Sequence, residues 1–252
     1  MRLTFLGTGT STGVPVIGCK CKVCQSNDVR DKRMRASVFL EVEGKNILID
    51  CGPDFRAQML FHDIDQIDAI LLTHKHIDHI GGIDDLRPLG SKKIYLDKQT
   101  EDAVRQMYGY CFAENPYPGV PSLSLERISY EPFKICDGTI EVIPIRVMHG
   151  KMEIMGYRIG NFAYITDVSS LADDAEYEKL KGLEVVVLGC LRMTEHHSHQ
   201  KFQEAMEMAK RINAKQTFFT HMCHHIGLHS EIEDLVPENI MFAYDGLSIA
   251  FE

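Results

Sequence analysis

The chain has 252 residues, of which 44% are hydrophobic and 25% charged, and its formal net charge is −9 at pH 7. This apolar content can bury one substantial core, and we expect a single domain over residues 1–252. The acidic balance argues against extended nucleic-acid binding, which favours basic surfaces, and no run of about 18 apolar residues predicts a membrane span.

In its first half the chain alternates strand-like and helix-like segments without a linker. Apolar runs bounded by turn residues predict strands at 3–6, 37–42, 46–50, 69–73 and 93–96. Helical spacing of apolar residues predicts helices at 53–62, 83–89 and 100–110. The first strand leads into a glycine-rich turn, which is not the pattern of a signal peptide.

The second half repeats this alternation. Strands are predicted at 141–147, 155–159, 162–166, 184–188, 216–220, 241–244 and 248–251, and helices at 200–212 and 230–235. The longer helix has one apolar stripe, formed by Phe202, Ala205, Met206, Ala209 and Ile212. This order of elements suggests an α/β fold in which two sheets pack face to face and helices cover the outside.

Four metal-binding side chains follow the apolar run at 70–72: His74, His76, Asp78 and His79. Such residues are costly to bury without partners, so packing does not explain them. Strand alternation would point His74 and His76 to one side, with Asp78 and His79 on the following turn. An open catalytic site needs about three protein ligands per ion. Four on one short loop therefore suggest a shared two-metal site with further ligands from elsewhere.

Three more predicted strands end at a polar residue of the same kind. They lead into His149-Gly150, Thr166-Asp167 and Thr220-His221. Sheet proteins gather their functional groups at such strand exits. Each residue by itself would more often be a turn or capping residue, but with the first motif they complete a ligand set.

A second cluster stands near the N-terminus, where Cys19, Cys21 and Cys24 bring three thiolates onto one tight loop. A tetrahedral structural zinc needs one more ligand, for which His224 is the candidate and His225 the alternative. The tight spacing and the odd number argue against a disulfide. The other five cysteines are scattered in mostly apolar surroundings, which predicts reduced core residues and a cytoplasmic protein.

The order His-x-His-x-Asp-His, His, Asp, His resembles the metallo-β-lactamase superfamily over nearly all of the chain. Further segments resemble its phosphoribosyl cyclic phosphodiesterase branch, the type found in phosphonate breakdown. The matching segments are 7–15, the cysteine loop at 19–24, 49–56, 84–88, 196–199 and 220–224. One difference is Ile80-Gly81-Gly82, where many relatives carry a bulkier residue.

This resemblance implies an αββα sandwich of two mixed β-sheets with helices on the outer faces. It also implies a first metal held by His74, His76 and His149, a second held by Asp78, His79 and His221, and Asp167 as the bridge. Cys19, Cys21, Cys24 and His224 would hold a separate, non-catalytic zinc. A His/Asp site accepts zinc, manganese or iron according to supply, so two divalent ions, zinc or manganese, are expected. The family also suggests a homodimer.

The implied reaction is hydrolysis of a small cyclic phosphodiester such as a phosphoribosyl 1,2-cyclic phosphate. Two ions about 3.5–4 Å apart can activate a hydroxide for attack on such an anion. Asp78 would be both ligand and proton acceptor. His199 would contact the phosphate or protonate the leaving oxygen, as the matching histidine of the family assists catalysis.

Residues around this site are open to more than one interpretation. Asp50 ends a strand beside the motif and is expected to orient a ligand histidine. Four arginines are candidates for bidentate phosphate binding: Arg33, Arg35, Arg56 and Arg87. For Arg87, an ion pair with the neighbouring Asp84-Asp85 is the favoured interpretation.

Three other functions remain open from the sequence. An RNA-processing nuclease of the same superfamily is disfavoured by the acidic charge and by the lack of a basic insertion. A thioester or lactone hydrolase is compatible with the ligand set, because this fold serves many substrates. A non-catalytic, zinc-stabilised binding module is disfavoured because every expected ligand is present. We therefore expect a small phosphorylated substrate as the partner, and neither nucleic acid nor a membrane.

Overall fold

Two β-sheets form the centre of the structure, a computed structural model that describes residues 1–252. In chain order the strands are β1 (Arg2–Gly7), β2 (Ser37–Val42), β3 (Lys45–Ile49), β4 (Ala69–Leu71), β5 (Lys92–Leu96), β6 (Leu123–Arg127), β7 (Phe133–Ile135), β8 (Ile140–His149), β9 (Met152–Ile159), β10 (Phe162–Ile165), β11 (Ser170–Leu171), β12 (Val185–Gly189), β13 (Gln216–Thr220), β14 (Ile240–Phe242) and β15 (Ser248–Ala250).

Six α-helices and four short 3-10 helices connect these strands. The α-helices are α1 (Phe55–His62), α2 (Ile77–Ile80), α3 (Lys98–Met107), α4 (Ala175–Glu178), α5 (Phe202–Ile212) and α6 (His229–Ile232). The 3-10 helices are Val29–Asp31, Ile83–Leu89, Gly109–Phe112 and Glu233–Leu235. We find no helix with the length and hydrophobicity of a membrane span.

Both sheets are mixed and follow the same plan. The first has the order β15-β1-β2-β3-β4-β5-β6, antiparallel from β15 to β3 and parallel from β3 to β6. The second has the order β11-β8-β9-β10-β12-β13-β14, antiparallel up to β10 and parallel beyond it, with β7 paired to β8. The parallel strands of each sheet therefore send their carboxyl ends to one edge.

The apolar core has three layers. A middle layer of 22 buried residues lies between the sheets and includes Phe5 and Leu40 from the first and Tyr157 and Phe218 from the second. On the outside of the first sheet, α1 and α3 bury residues such as Phe55 and Val104. On the outside of the second sheet, the stripe of α5 is buried with the strands. The αββα sandwich of two mixed sheets is thereby confirmed.

The predicted strands and long helices are present, with shifts of a few residues at their ends. Three strands were missed: β7 and β11 have three and two residues, too short for a periodic signal, and β6 is a half-exposed edge strand. The predicted helix at 100–110 ends at Met107 and continues after Tyr108 as a 3-10 turn. The one-turn helices α2 and α4 were also missed, because four residues carry no helical period.

Candidate dinuclear metal centre

Three residues within two positions of a strand end adopt left-handed backbone conformations. Asp50 after β3, Asp167 near the end of β10 and His221 after β13 have φ values of 68°, 51° and 60°. Residues other than glycine rarely occupy this region, and such strain clusters at functional sites. The sharp turn at each strand exit keeps the side chains at one sheet edge, where all three are buried.

The segment that leads into His74 to His79 is held by hydrogen bonds from the second sheet. Tyr157 of β9 donates its hydroxyl hydrogen to the carbonyl of Leu72, with an O···O distance of 2.6 Å. The Met155 N–H donates to Thr73 O at 3.0 Å. Because β4 ends at Leu71, His74 and His76 lie on a loop, so the strand alternation expected for them is wrong. Tertiary hydrogen bonds to the second sheet hold the loop instead.

Close backbone packing fixes α2, which carries Asp78 and His79. A Cβ atom at Gly52 would lie 2.1 Å from the carbonyl oxygen of Asp78, so only glycine fits this approach. The Cys51 N–H also donates to His79 O at 2.8 Å. These contacts place the short helix directly against the exit of β3.

A first group of four donors is formed by His74, His76, His149 and Asp167. The His74 Nε2 atom lies 2.9 Å from His76 Nδ1 and 3.7 Å from Asp167 Oδ2. The His149 Nε2 atom lies 4.0 Å from the same carboxylate oxygen. All four donor atoms are within 4.8 Å of one another.

A second group is formed by Asp78, His79, His221 and again Asp167. The His79 Nε2 atom is 3.2 Å from Asp78 Oδ2 and 3.3 Å from Asp167 Oδ1. His221 Nε2 is 3.4 Å and 3.1 Å from the same two oxygens. Asp167 thus presents Oδ2 to the first group and Oδ1 to the second, which is the arrangement of a bridging carboxylate.

The donor set fits two divalent ions. Ligand atoms about 2.0–2.1 Å from a tetrahedral ion lie about 3.3 Å apart, close to most distances in the two groups. His79 Nε2 is fully buried and makes no hydrogen bond, although it faces two carboxylates. Burial by itself would lower the pKa of His79, but Asp50, Asp78 and Asp167 raise it well above its usual range. The carboxylates therefore favour positive charge at this position, which bound cations would provide.

Groups behind the donors fix the histidine rings. The buried carboxylate of Asp50 accepts a hydrogen bond from His79 Nδ1 at 2.7 Å, which leaves Nε2 to face the second group. Thr73 Oγ1 lies 3.0 Å from Asp50 and 3.0 Å from His74 Nδ1. Asp50 therefore orients one histidine of each group, His79 directly and His74 through Thr73. The sequence predicted this role for one ligand histidine. The third ring is held by the Ser198 carbonyl, 2.8 Å from His149 Nδ1.

We predict that Asp50→Asn weakens metal binding about 10- to 100-fold, because an amide cannot supply the negative charge that orients these rings. Asparagine tolerates left-handed backbone, so the substitution isolates the charge. Affinity is measured by competition with a chelator, and Asp65→Asn, an exposed site, is the control. Metal binding as tight as in the unchanged protein would contradict this role for Asp50.

The cysteine loop and His224 form a separate group. His224 Nδ1 lies 3.3 Å from Cys19 Sγ and 3.4 Å from both Cys21 Sγ and Cys24 Sγ. A tetrahedral zinc with ordinary Zn–S and Zn–N bonds would space these atoms by about 3.5 Å. The backbone N–H of Cys24 and His224 lower the pKa of the Cys21 thiol to about 6, which favours the thiolate that zinc binds. The structure brings His224 to the cysteines, and not the alternative, His225.

His199 lies beside the donor groups without belonging to either. Its ring stacks on His221 with centroids 5.0 Å apart, and Nδ1 is 4.0 Å from Asp167 Oδ2. Burial, followed by the neighbouring His221, lowers the pKa of His199 to about 3. Its side chain is 13% exposed, so part of it reaches the surface beside the centre.

The candidate phosphate-binding arginines are largely engaged elsewhere. Arg87 pairs with Asp84, as favoured from the sequence. Arg35 pairs with Asp54 at 2.9 Å, and Arg33 is buried with hydrogen bonds to Thr8 Oγ1 and Ala243 O. Arg56 is exposed on α1.

Three further groups of this site carry no recognisable signal in the sequence. The Thr73 hydroxyl, the Tyr157 hydroxyl and the Ser198 carbonyl each hold a donor residue or its loop. Threonine and serine are common at strand ends and turns, and tyrosine is common in cores, so nothing marks these three. The fold and these donor groups together define the class of metallo-β-lactamase-fold, metal-dependent hydrolases.

Comparisons with known proteins agree with this class. Residues 45–222 match the family described as the β-lactamase superfamily domain. The crystal structure of a diphosphatase from the PhnP family has a TM-score of 0.92 and 40% identity, covering 100% of this chain and 98% of that one. The chain belongs to the β-lactamase superfamily, in its PhnP-like branch.

Two further proteins are similar to this chain. Zn²⁺-bound PqqB from Methylobacterium extorquens shares the fold, with a TM-score of 0.81 at 18% identity over 100% of both chains. A protein named octanoyltransferase from Porphyromonas gingivalis is 44% identical over 253 residues, 98% of this chain and 51% of the relative. The chain thus spans about half the length of this curated relative, whose name describes the whole protein.

Proposed function

We propose that this hydrolase cleaves a small cyclic phosphodiester, such as a phosphoribosyl 1,2-cyclic phosphate. The observation that carries the proposal is Asp167, which presents one oxygen to each of two groups of donors. Two ions held there would supply the positive charge that a phosphodiester needs for attack by water. The resemblance of the whole chain to the phosphodiesterase branch supports a phosphodiester as the substrate, over acyl compounds and over other phosphoryl compounds.

The protein's own groups would orient the reactants. Burial and the neighbouring Asp167 would raise the pKa of Asp78, but His79 and His221 hold it below its usual range, so Asp78 stays ionised. The ionised carboxylate can accept a hydrogen bond from the attacking water and hold it in line with the phosphate. His199, beside the centre, can donate a hydrogen bond to a phosphate or leaving-group oxygen. With a pKa near 3 in the metal-free protein, it is a neutral donor there.

We predict that His199→Ala lowers turnover of an alkyl phosphodiester about 10²–10³-fold while the metal content is unchanged, because a hydrogen bond to the developing charge is lost. The loss should be smaller for a nitrophenyl phosphodiester, whose leaving oxygen carries less charge that needs a hydrogen bond. Turnover of both substrates is measured beside metal analysis, with His225→Ala, an exposed histidine, as the control. An equal loss on both substrates would exclude a hydrogen bond to the leaving oxygen and leave contact with the phosphate. Loss of an ion would make His199 a ligand.

A second candidate substrate is a diphosphate ester. The supporting observation is the solved PhnP-family neighbour, which is described as a diphosphatase and matches the whole chain at 40% identity. An RNA-processing nuclease remains less favoured, because a net charge of −9 opposes binding of a polyanion. A thioester hydrolase has no observation in its favour beyond the shared fold.

One panel tests the proposed function. The metal-loaded protein is assayed on a ribose 1,2-cyclic phosphate, a diphosphate ester, a tRNA precursor and a thioester. We expect hydrolysis of the cyclic phosphate that is lost on chelation while folding persists. Preference for the tRNA precursor or the thioester would overturn the proposal, and a folded protein without activity would indicate a binding module. We also propose a cytoplasmic homodimer, which size-exclusion chromatography and cell fractionation can test.

A further inference from the structure

His221 is held differently from three other histidines of the donor groups. The rings of His74, His79 and His149 each have a hydrogen-bonding partner at Nδ1. His221 Nδ1 is buried and has none. Its ring stacks between those of His79 and His199, with interplanar angles of 16° on both sides. Stacking fixes the plane of the ring, so the position of Nε2 within that plane depends on the backbone.

The backbone at His221 needs support from its surroundings. Its φ of 60° is left-handed, and a residue other than glycine persists there only where neighbouring contacts determine it. The N-terminal segment provides such contacts to the next residue. The Met222 N–H donates to Thr8 O at 2.9 Å, and the Thr10 N–H donates to Met222 O at 3.1 Å. His221 is therefore positioned by the chain that follows it.

The cysteine group holds the same stretch of chain at its other end. His224 Nδ1 lies 3.3–3.4 Å from the three cysteine Sγ atoms of the loop at 19–24. That loop belongs to the N-terminal segment that also binds Met222. An ion bound by the cysteines and His224 would tie the two segments together at a second point. Without it, the backbone hydrogen bonds of Met222 and Cys223 would hold the stretch alone.

Only one of the two donor groups depends on this stretch of chain. His221 Nε2 faces Asp78 Oδ2 at 3.4 Å and Asp167 Oδ1 at 3.1 Å, and both belong to the second group. Of the donors in the first group, only the shared Asp167 lies within ion-pair distance of His221. A displacement of His221 would therefore act mainly on the second group.

We propose that zinc binding by the cysteine group positions His221 and thereby raises the affinity of the second donor group for its ion. The first group, with His74, His76 and His149, is affected much less. Because a coupling between binding sites is reciprocal, an ion in the second group strengthens metal binding at the cysteines by the same factor. Such factors are typically about 5- to 150-fold. The coupling concerns ion binding and does not depend on which ester the centre cleaves.

The first test measures Mn²⁺ affinity, because Mn²⁺ favours oxygen and nitrogen ligands over thiolates. In a His76→Ala background only the second group is complete, and Cys21→Ser should weaken Mn²⁺ binding there about 5- to 150-fold. In an Asp78→Ala background only the first group is complete, and the same change should have a much smaller effect. At saturating Mn²⁺ the second group refills, so affinity, and not turnover, is the measurement.

The matched control is Cys21→His, which can still complete a tetrahedral zinc site and should retain the Mn²⁺ affinity. Before each titration a chelator removes loosely bound ions. Metal analysis then verifies one zinc per chain where the cysteine group is intact and none in Cys21→Ser. Equal Mn²⁺ affinity with and without this zinc would overturn the coupling. Equal weakening of both donor groups would also overturn it, because it would indicate a general loosening of the fold.

The second test leaves the cysteine loop unchanged, so it applies even if Cys21→Ser does not fold. Co²⁺ replaces zinc at the cysteines, where its thiolate charge-transfer absorption reports this group alone. In Mn²⁺-loaded protein, Asp78→Ala should weaken Co²⁺ binding at the cysteines by the reciprocal factor, measured by release to a chelator. His76→Ala should leave it nearly unchanged. Equal Co²⁺ affinity in the Asp78→Ala and His76→Ala proteins would contradict the proposal.

Discussion

Replacing Asp167 with alanine is expected to abolish the bridge between the two donor groups and to lower turnover by about 10³-fold or more. A metal ion supplies several kcal/mol of transition-state charge stabilisation, and each 1.4 kcal/mol corresponds to a factor of about ten. Both carboxylate oxygens of Asp167 face histidines of the two groups at 3.1–4.0 Å. Removing them should therefore affect both ions.

The measurement is elemental analysis together with turnover. Asp167 has a φ of 51°, where alanine is strained, so Asp167→Asn is a necessary second variant. Asparagine keeps the shape of the side chain and removes its charge. The Asp167→Asn protein should therefore lose nearly as much turnover as the Asp167→Ala protein. Asp234→Ala removes an exposed carboxylate and is the control. Fewer than two ions per chain beyond the cysteine site, in the fully loaded unchanged protein, would count against the dinuclear assignment.

The second large effect is expected at the cysteine group. Cys21→Ser should release about one zinc per chain and lower the melting temperature by roughly 5–10 °C, because metal binding at such a site contributes folding free energy. The loop has little else to stabilise it, since its own apolar cluster contains only three buried residues: Val14, Val23 and Cys24. A zinc ion bound there would therefore stabilise this end of the molecule in place of a larger apolar core.

Turnover should fall less than stability in Cys21→Ser. The Cys21 thiol lies beside His224, which follows His221 by three residues in the chain. Backbone hydrogen bonds also hold the segment between these two histidines. The Met222 N–H donates to Thr8 O at 2.9 Å, and the Thr10 N–H donates to Met222 O at 3.1 Å. Cys111→Ser, at a half-buried cysteine outside the group, is the control. A Cys21→Ser protein with full metal content and unchanged melting temperature would mean that the site is wrongly assigned.

Much of the fold could be predicted because its signals are local. The strand at 37–42 and the apolar stripe of the helix beginning near residue 202 depend on neighbouring residues in the chain. The end of β4 could not be predicted in this way. The Thr73 N–H bonds to the side chain of Asp50 instead of continuing a ladder, and that partner is 23 residues away.

The sequence by itself determined the fold class and which side chains could act as metal ligands. Ligand chemistry belongs to the residue type, and an apolar run followed by polar residues indicates to within a few residues where a strand ends. Only the tertiary structure decided that Asp167 faces both groups and that His224, not His225, meets the cysteines. It also decided that the Ser198 carbonyl meets His149 Nδ1. Such contacts depend on angles and distances between elements far apart in the chain, which side-chain type and spacing do not encode.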